Sequence, residues 1–222
     1  MSDYAAIFDM DGVLVDSYRP HLQSWQQAAR RRGRDMTEEQ FAATFGMTSR
    51  EIIRHLWPDV PDDEVAAFDD EKEAAYREII HAEFPEMEGA HELIAALAGA
   101  GFRIAVGSSG PPENVAAVLE ELPSSECVAA RVTGSDVTHG KPHPEVFLKA
   151  ADKLGVAPER CVVLEDAVHG LEAAHRAGMA AVAVTGTAER EELAKQADRI
   201  VDSLRELTVE GIRALIDGRS NV

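Results

Sequence analysis

Tyr4-Ala-Ala-Ile-Phe8, followed at once by Asp9-Met-Asp-Gly12, is a short apolar run that stops abruptly at two acids and a glycine. A run that is apolar on both faces reads as a buried strand of a parallel sheet that has just reached its loop. Similar runs recur at Arg103–Gly107, Cys161–Leu164 and Ala180–Val184, separated by stretches of helical period. Strands alternating with helices predict an α/β domain with a mostly parallel, Rossmann-like sheet, and such sheets take ligands beyond the carboxyl ends of their strands. The helix ends agree with this layout. Pro111 and Pro112 open one helix after Ser108-Ser109-Gly110, and Gly155 and Gly178 stand where two others should stop.

Between the first two strands lies a stretch of roughly 65 residues, about Tyr18 to Phe84, with no strand pattern, too long for an ordinary crossover. Leu22, Trp25 and Ala29 share a helical face, as do Ile52, Ile53, Leu56 and Trp57, and later Phe68, Tyr76, Ile79 and Ile80. Thr37 with Gln40, and Thr48 with Glu51, have capping-box spacing. The expectation is an all-helical insertion over residues 18–84, with residues 1–17 and 85–222 forming the α/β core.

The chain has 222 residues, 45% of them apolar, which is enough to bury a sizeable core. Its net charge of -18 would repel nucleic acid and anionic lipid over most of the surface. A small phosphorylated metabolite drawn into a local basic pocket fits better, although so much acid also serves simply as a solvated surface. Cys127 and Cys161 lack the paired spacing of a metal clip or disulfide framework, so packing is their expected role. Neither a leader pattern at Met1–Phe8 nor a run of about 20 apolar residues is visible, and a cytoplasmic location is expected.

Four elements carry chemistry. Asp9 and Asp11 are two residues apart at the end of the first strand, a spacing that turns both side chains toward one side. Paired acids can divide labour between nucleophile and general acid if a cation or hydrogen bonds separate their pKa values, though Asp-x-Asp-Gly also occurs in surface turns and calcium loops. Gly107-Ser108-Ser109-Gly110 lies between a strand and a Pro-initiated helix, where backbone N–H groups and the helix dipole can hold an anion; a helix cap is the plainer reading. In His139-Gly140-Lys141-Pro142-His143-Pro144 one lysine is held between a glycine and a proline, able to offer a fixed positive charge to a phosphate or to remain an exposed loop lysine. Glu165-Asp166 ends another apolar strand, where hard carboxylate oxygens can complete a magnesium site with Asp9.

These elements, in this order and at these strand ends, resemble the haloacid dehalogenase superfamily over essentially the whole chain. The resemblance implies Asp9 as nucleophile and Asp11 as general acid/base. It also implies Ser108, Ser109 and Lys141 as phosphate-binding groups, and a Mg2+ site drawing on Asp9, Asp11, Glu165 and Asp166. The helical insertion takes the place of the family's cap. Dehalogenase and phosphonate-cleaving members are less similar, because they depart at the position of Asp11.

Within the family, Asp9 through Ser17 followed by His21 is most similar to the β-phosphoglucomutase-like branch, which implies that His21 steers Asp11. In the cap, Gly46 and Arg50 resemble that branch's substrate-facing loop and Lys72 its cap lysine, with a surface ion pair as the plainer role for Arg50. The resemblance implies a magnesium-dependent phosphatase acting on a small sugar or polyol phosphate through an aspartyl phosphate, with β-phosphoglucomutase as the alternative. A noncatalytic metabolite sensor is a further reading, against which the intact Asp9 and Asp11 pair speaks.

Overall fold

A computed structural model describes residues 4–44 and 47–219. By its internal contacts the chain divides into two units, Met1–Asp16 with Pro85–Val222, and Ser17–Phe84.

The larger unit is built on a six-stranded sheet in the order β3-β2-β1-β4-β5-β6. The strands are β1 (Ala5–Phe8), β2 (Arg103–Gly107), β3 (Val128–Val132), β4 (Cys161–Glu165), β5 (Ala180–Val184) and β6 (Arg199–Val201). Every neighbouring pair of strands is parallel. The four apolar runs read from the sequence are the four inner strands, and β1, β4 and β5 are buried along their whole length. The two outer strands carry no such signal. In β3, Val-Ala-Ala-Arg-Val, burial alternates and only Val132 is fully buried, as suits a sheet edge. β6 is three residues long and begins with an arginine.

β1 sits between β2 and β4, with Ala5 opposite both Arg103 and Cys161 and Phe8 opposite both Val106 and Leu164. Ala5 and Ile7 pack into a core with Phe147, Ala150 and Leu154 of one helix and Leu171 and Ala174 of another. The alternate residues Ala6 and Phe8, fully buried as well, point to the opposite face. The register therefore fixes which side chains stand at the carboxyl edge, because a one-residue slip would exchange the two faces.

The smaller unit is helical throughout: α1 (Tyr18–Arg31), α2 (Glu38–Ala43), α3 (Ser49–Leu56) and α4 (Asp62–Ala82). Leu22, Trp25, Ala29, Ile52, Ile53, Trp57 and Phe68 form one core, in which the Trp57 and Phe68 rings stack at 5.0 Å. The expected capping boxes are both formed, Thr37 with Gln40 at α2 and Thr48 with Glu51 at α3. Each satisfies backbone N–H groups that a short helix would otherwise leave open.

The remaining helices belong to the larger unit: α5 (Ala90–Gly99), α6 (Pro112–Glu121), α7 (Glu145–Leu154), α8 (Val168–Arg176), α9 (Arg190–Leu193) and α10 (Val209–Arg219). Gly155 closes α7 in the left-handed conformation, with φ 63°. No described helix is long and apolar enough to cross a membrane.

Candidate active site

Three adjacent strands deliver the chemistry. β1 leads to Asp9, β2 leads to Ser108, and β4 ends in Glu165 with Asp166 next in the chain. The Asp9 N–H donates to Leu164 O at 2.9 Å and the Ser108 N–H donates to Val132 O at 3.0 Å, so the sheet ladder extends into the loops and fixes both positions. Beyond Asp9 the chain closes into a tight turn. The N–H groups of Leu14 and Val15 both donate to Met10 O, and the Gly12 N–H donates to Val15 O.

Lys141, from the turn ahead of α7, joins these strands. Its Nζ donates to Asp9 Oδ1 at 2.5 Å and to Glu165 Oε1 at 2.7 Å, and lies 4.9 Å from the centre of the Phe147 ring. Burial alone would favour a neutral amine, but the two carboxylates reverse that and raise the Lys141 pKa. The turn is itself held. The Glu145 carboxylate accepts from the Thr138 N–H at 3.1 Å and the His139 N–H at 3.0 Å, and pairs with Lys149 at 2.7 Å. The Lys149 pair and these backbone donors pull the Glu145 pKa down to about 2.

Carboxylate oxygens of Asp9, Glu165 and Asp166 lie within 4.8 Å of one another, and all three residues are buried. Burial, joined by the Glu165 and Asp11 charges and opposed by Lys141, pushes the Asp9 pKa up to about 7. Burial and the charges of Glu165 and Asp9 likewise hold Asp166 well above the usual carboxylate range. Three acids against one ammonium leave two negative charges when all are ionised, in a place where water screens them poorly. Hard, clustered oxygen donors with excess negative charge fit a Mg2+-class ion. Asp11 is not part of this carboxylate cluster. Its backbone bridges to Val15 in the turn, and its charge acts on Asp9, while the three carboxylates that gather are those of Asp9, Glu165 and Asp166.

Two glycines make the cluster possible: Gly12, which the sequence marks as a tight turn beside the two acids, and Gly170, which was not singled out. A Cβ on Gly170 would stand 1.7 Å from Glu165 Oε1, and one on Gly12 would stand 2.0 Å from Asp166 Oδ2. Gly170 lies in the first turn of α8, and the available signal was a glycine where helices rarely spend one. Glu165 Oε2 also accepts from the N–H groups of Asp166 and Ala167, both at 2.8 Å, which fixes the carboxylate at both oxygens.

Ser108 is buried and its Oγ accepts from the Gly110 N–H at 2.9 Å, while Ser109 is exposed. In the helical unit Lys72 is buried. Its Nζ donates to Glu73 Oε1 at 2.9 Å and to His21 Nδ1 at 3.1 Å, and lies 5.6 Å and 5.5 Å from the centres of the Trp25 and Tyr76 rings. An ammonium can only donate, so His21 Nδ1 is the acceptor and the ring proton sits on Nε2. Stacking on Tyr76 at 4.2 Å fixes the ring plane. Arg50 pairs with Asp69 at 3.2 Å on a largely exposed surface, the plainer of its two roles. Gly46 lies outside the described residues.

Residues 5–178 match the hydrolase family described as haloacid dehalogenase-like hydrolase. The chain belongs to the haloacid dehalogenase-like hydrolases. It is 32% identical to hexitol phosphatase A of Escherichia coli over 91% of this chain and 92% of that one. It is 30% identical to validoxylamine A 7'-phosphate phosphatase of Streptomyces hygroscopicus subsp. limoneus, over 91% and 94%. Among solved structures, the β-phosphoglucomutase of Clostridium difficile superposes with a TM-score of 0.84 at 27% identity, covering 100% of both chains. As a haloacid dehalogenase-type enzyme, the protein is a phosphatase or a phosphoglucomutase, and the helical insertion between β1 and β2 is consistent with the neighbouring structures.

Proposed function

We propose that this enzyme is a magnesium-dependent phosphatase that hydrolyses a small sugar or polyol phosphate through a phosphoryl group carried on Asp9. The observation that carries the reading is the buried contact of Asp9 with Lys141 beside Glu165 and Asp166. The full-length likeness to phosphatases named for hexitol phosphate and validoxylamine 7'-phosphate supports the substrate class.

Asp9, Glu165 and Asp166 are the residues that would hold Mg2+, which when bound supplies positive charge to offset the repulsion between carboxylate and phosphate. Lys141 fixes the Asp9 carboxylate through Oδ1 and adds a second positive charge beside the reacting oxygens. The same charge favours the ionised form that burial opposes. Asp9 attacks phosphorus, the P–O bond to the sugar breaks, and Asp11 gives its proton to the departing oxygen. Asp11 then takes a proton from the water that cleaves the aspartyl phosphate, and the N–H groups after Ser108 receive the phosphoryl oxygens. His21, with its proton on Nε2, is the steering residue for Asp11, and Lys72 with Arg50 is the cationic contribution of the helical unit to the substrate.

Asp9→Asn removes the nucleophile and is expected to lower hydrolysis of a phosphoaryl ester by at least ~10³-fold. Unchanged turnover in that variant would rule Asp9 out. β-Phosphoglucomutase is the second reading, favoured by the superposition over the full length of the Clostridium difficile enzyme. Product identity separates the two. With β-glucose 1-phosphate, Mg2+ and a trace of bisphosphate, a phosphatase releases inorganic phosphate, whereas efficient formation of glucose 6-phosphate without phosphate release makes the mutase reading correct.

A further inference from the structure

The turn that carries Lys141 places two imidazoles and a carboxylate together on its outer side. His139 precedes Lys141, His143 follows it, and Glu145 opens α7. One ligand atom from each lies within 4.8 Å of the other two, and the His139 and His143 ring centres are 4.7 Å apart. His139 Nδ1 and Glu145 Oε2 are 3.4 Å apart. Donors around a tetrahedral ion with bonds of about 2.0–2.1 Å stand roughly 3.3–3.4 Å from one another, so this pair already has the spacing that a shared ion requires.

Glu145 is also prepared for the role of ligand. Lys149 and the Thr138 N–H group hold Oε1, and the Thr138 and His139 N–H groups hold Oε2, so the carboxylate is fixed in place beside the imidazoles. Such outer contacts orient a ligating carboxylate before the ion arrives. Both imidazoles are exposed, so the ion can enter without any part of the core opening. Two nitrogens with one oxygen suit a borderline ion such as Zn2+ rather than Mg2+, which prefers oxygen alone. A half-buried group among the described residues, Glu86, His91 and Glu92, offers a single imidazole and suits such an ion less well.

We infer that His139, His143 and Glu145 form a second metal site, for a Zn2+-class ion with solvent completing its coordination, which clamps the turn bearing Lys141 from outside. It is separate from the acidic cluster and stands whether or not the phosphatase reading holds.

The test uses the whole protein in excess Mg2+, titrated with Co2+ while visible d–d absorption is read, and then with Zn2+. The expected result is one Co2+ per chain, displaced by Zn2+, with at least a tenfold loss of affinity in His143→Gln and no change in Asp9→Asn. Circular dichroism confirms that the variants remain folded. Full affinity in the His139→Gln/His143→Gln double variant would overturn the site, as would a signal that disappears with Asp9→Asn or follows His91→Gln instead.

Discussion

Two lysines, one in each unit, are buried in opposite ways. Lys141 in the sheet unit is held by two carboxylates, Asp9 and Glu165, beside a third in Asp166. Lys72 in the helical unit has one carboxylate, Glu73, and one imidazole, with aromatic faces on two sides. Around Lys141 the ammonium is outnumbered, and the group as a whole calls for a further cation. Around Lys72 the charges of Lys72 and Glu73 balance, and the rings supply a weaker attraction spread over their faces. The core site thus carries an excess of negative charge, whereas the buried pair in the helical unit is neutral overall.

Lys141→Met should break this contrast most severely. Two buried carboxylates lose their ammonium, a loss that typically costs about 3–5 kcal/mol, and kcat/KM should fall at least ~10³-fold. Denaturant unfolding in chelator together with a turnover assay checks both. Lys72→Met should cost less on both counts, roughly 10–100-fold in kcat/KM, if its role is the proposed one in substrate recognition rather than at the reacting atoms. Equal effects of the two substitutions would mean that Lys72 is also at the chemistry.

The smallest effect sharpens the core half of the comparison. Asp9 has a folded-state pKa of about 7 against an ordinary 3.8, so the folded chain holds that proton more tightly than the unfolded one. The associated stability is present at low pH and is lost as pH rises from about 4 to about 7, by at most ~4 kcal/mol. In chelator the unfolding temperature should therefore fall by several degrees over that range, and Mg2+ should restore it at pH 7.5. Asp9→Asn should flatten the metal-free pH dependence, and an unchanged slope would show that other groups set it.

The inner strands were legible because burial on both faces demands apolar residues at every position, as in Ala5–Phe8 and Ala180–Val184. β3 and β6 were not, since an edge strand such as Val128–Val132 can expose alternate residues and carry Arg131. The site was legible as a set of strand ends and loops, and its pairings were hidden. Nothing local to Lys141 announces that it reaches Asp9 and Glu165, because the parallel register of β1 with β4 sets those acids side by side and the turn ahead of α7 brings the lysine to them. Gly170 was silent for the same reason, and Gly12 was legible only as a turn, since what presses on both is a carboxylate brought against them from another strand or across a turn. Arg50 matched a family loop in sequence, whereas its partner Asp69 lies one helix further along.

The position of β1 carries a consequence in time. Ala5 pairs with Arg103 on one side and with Cys161 on the other, so the strand that leads to Asp9 is made before either neighbour and gains its second only after β4 exists. Parallel pairings of such long separation are slow to form, because the loop-closure entropy is met before the contacts repay it. During refolding, helical signal should return well before turnover, and the Asp9 to Glu165 constellation should be among the last features to mature.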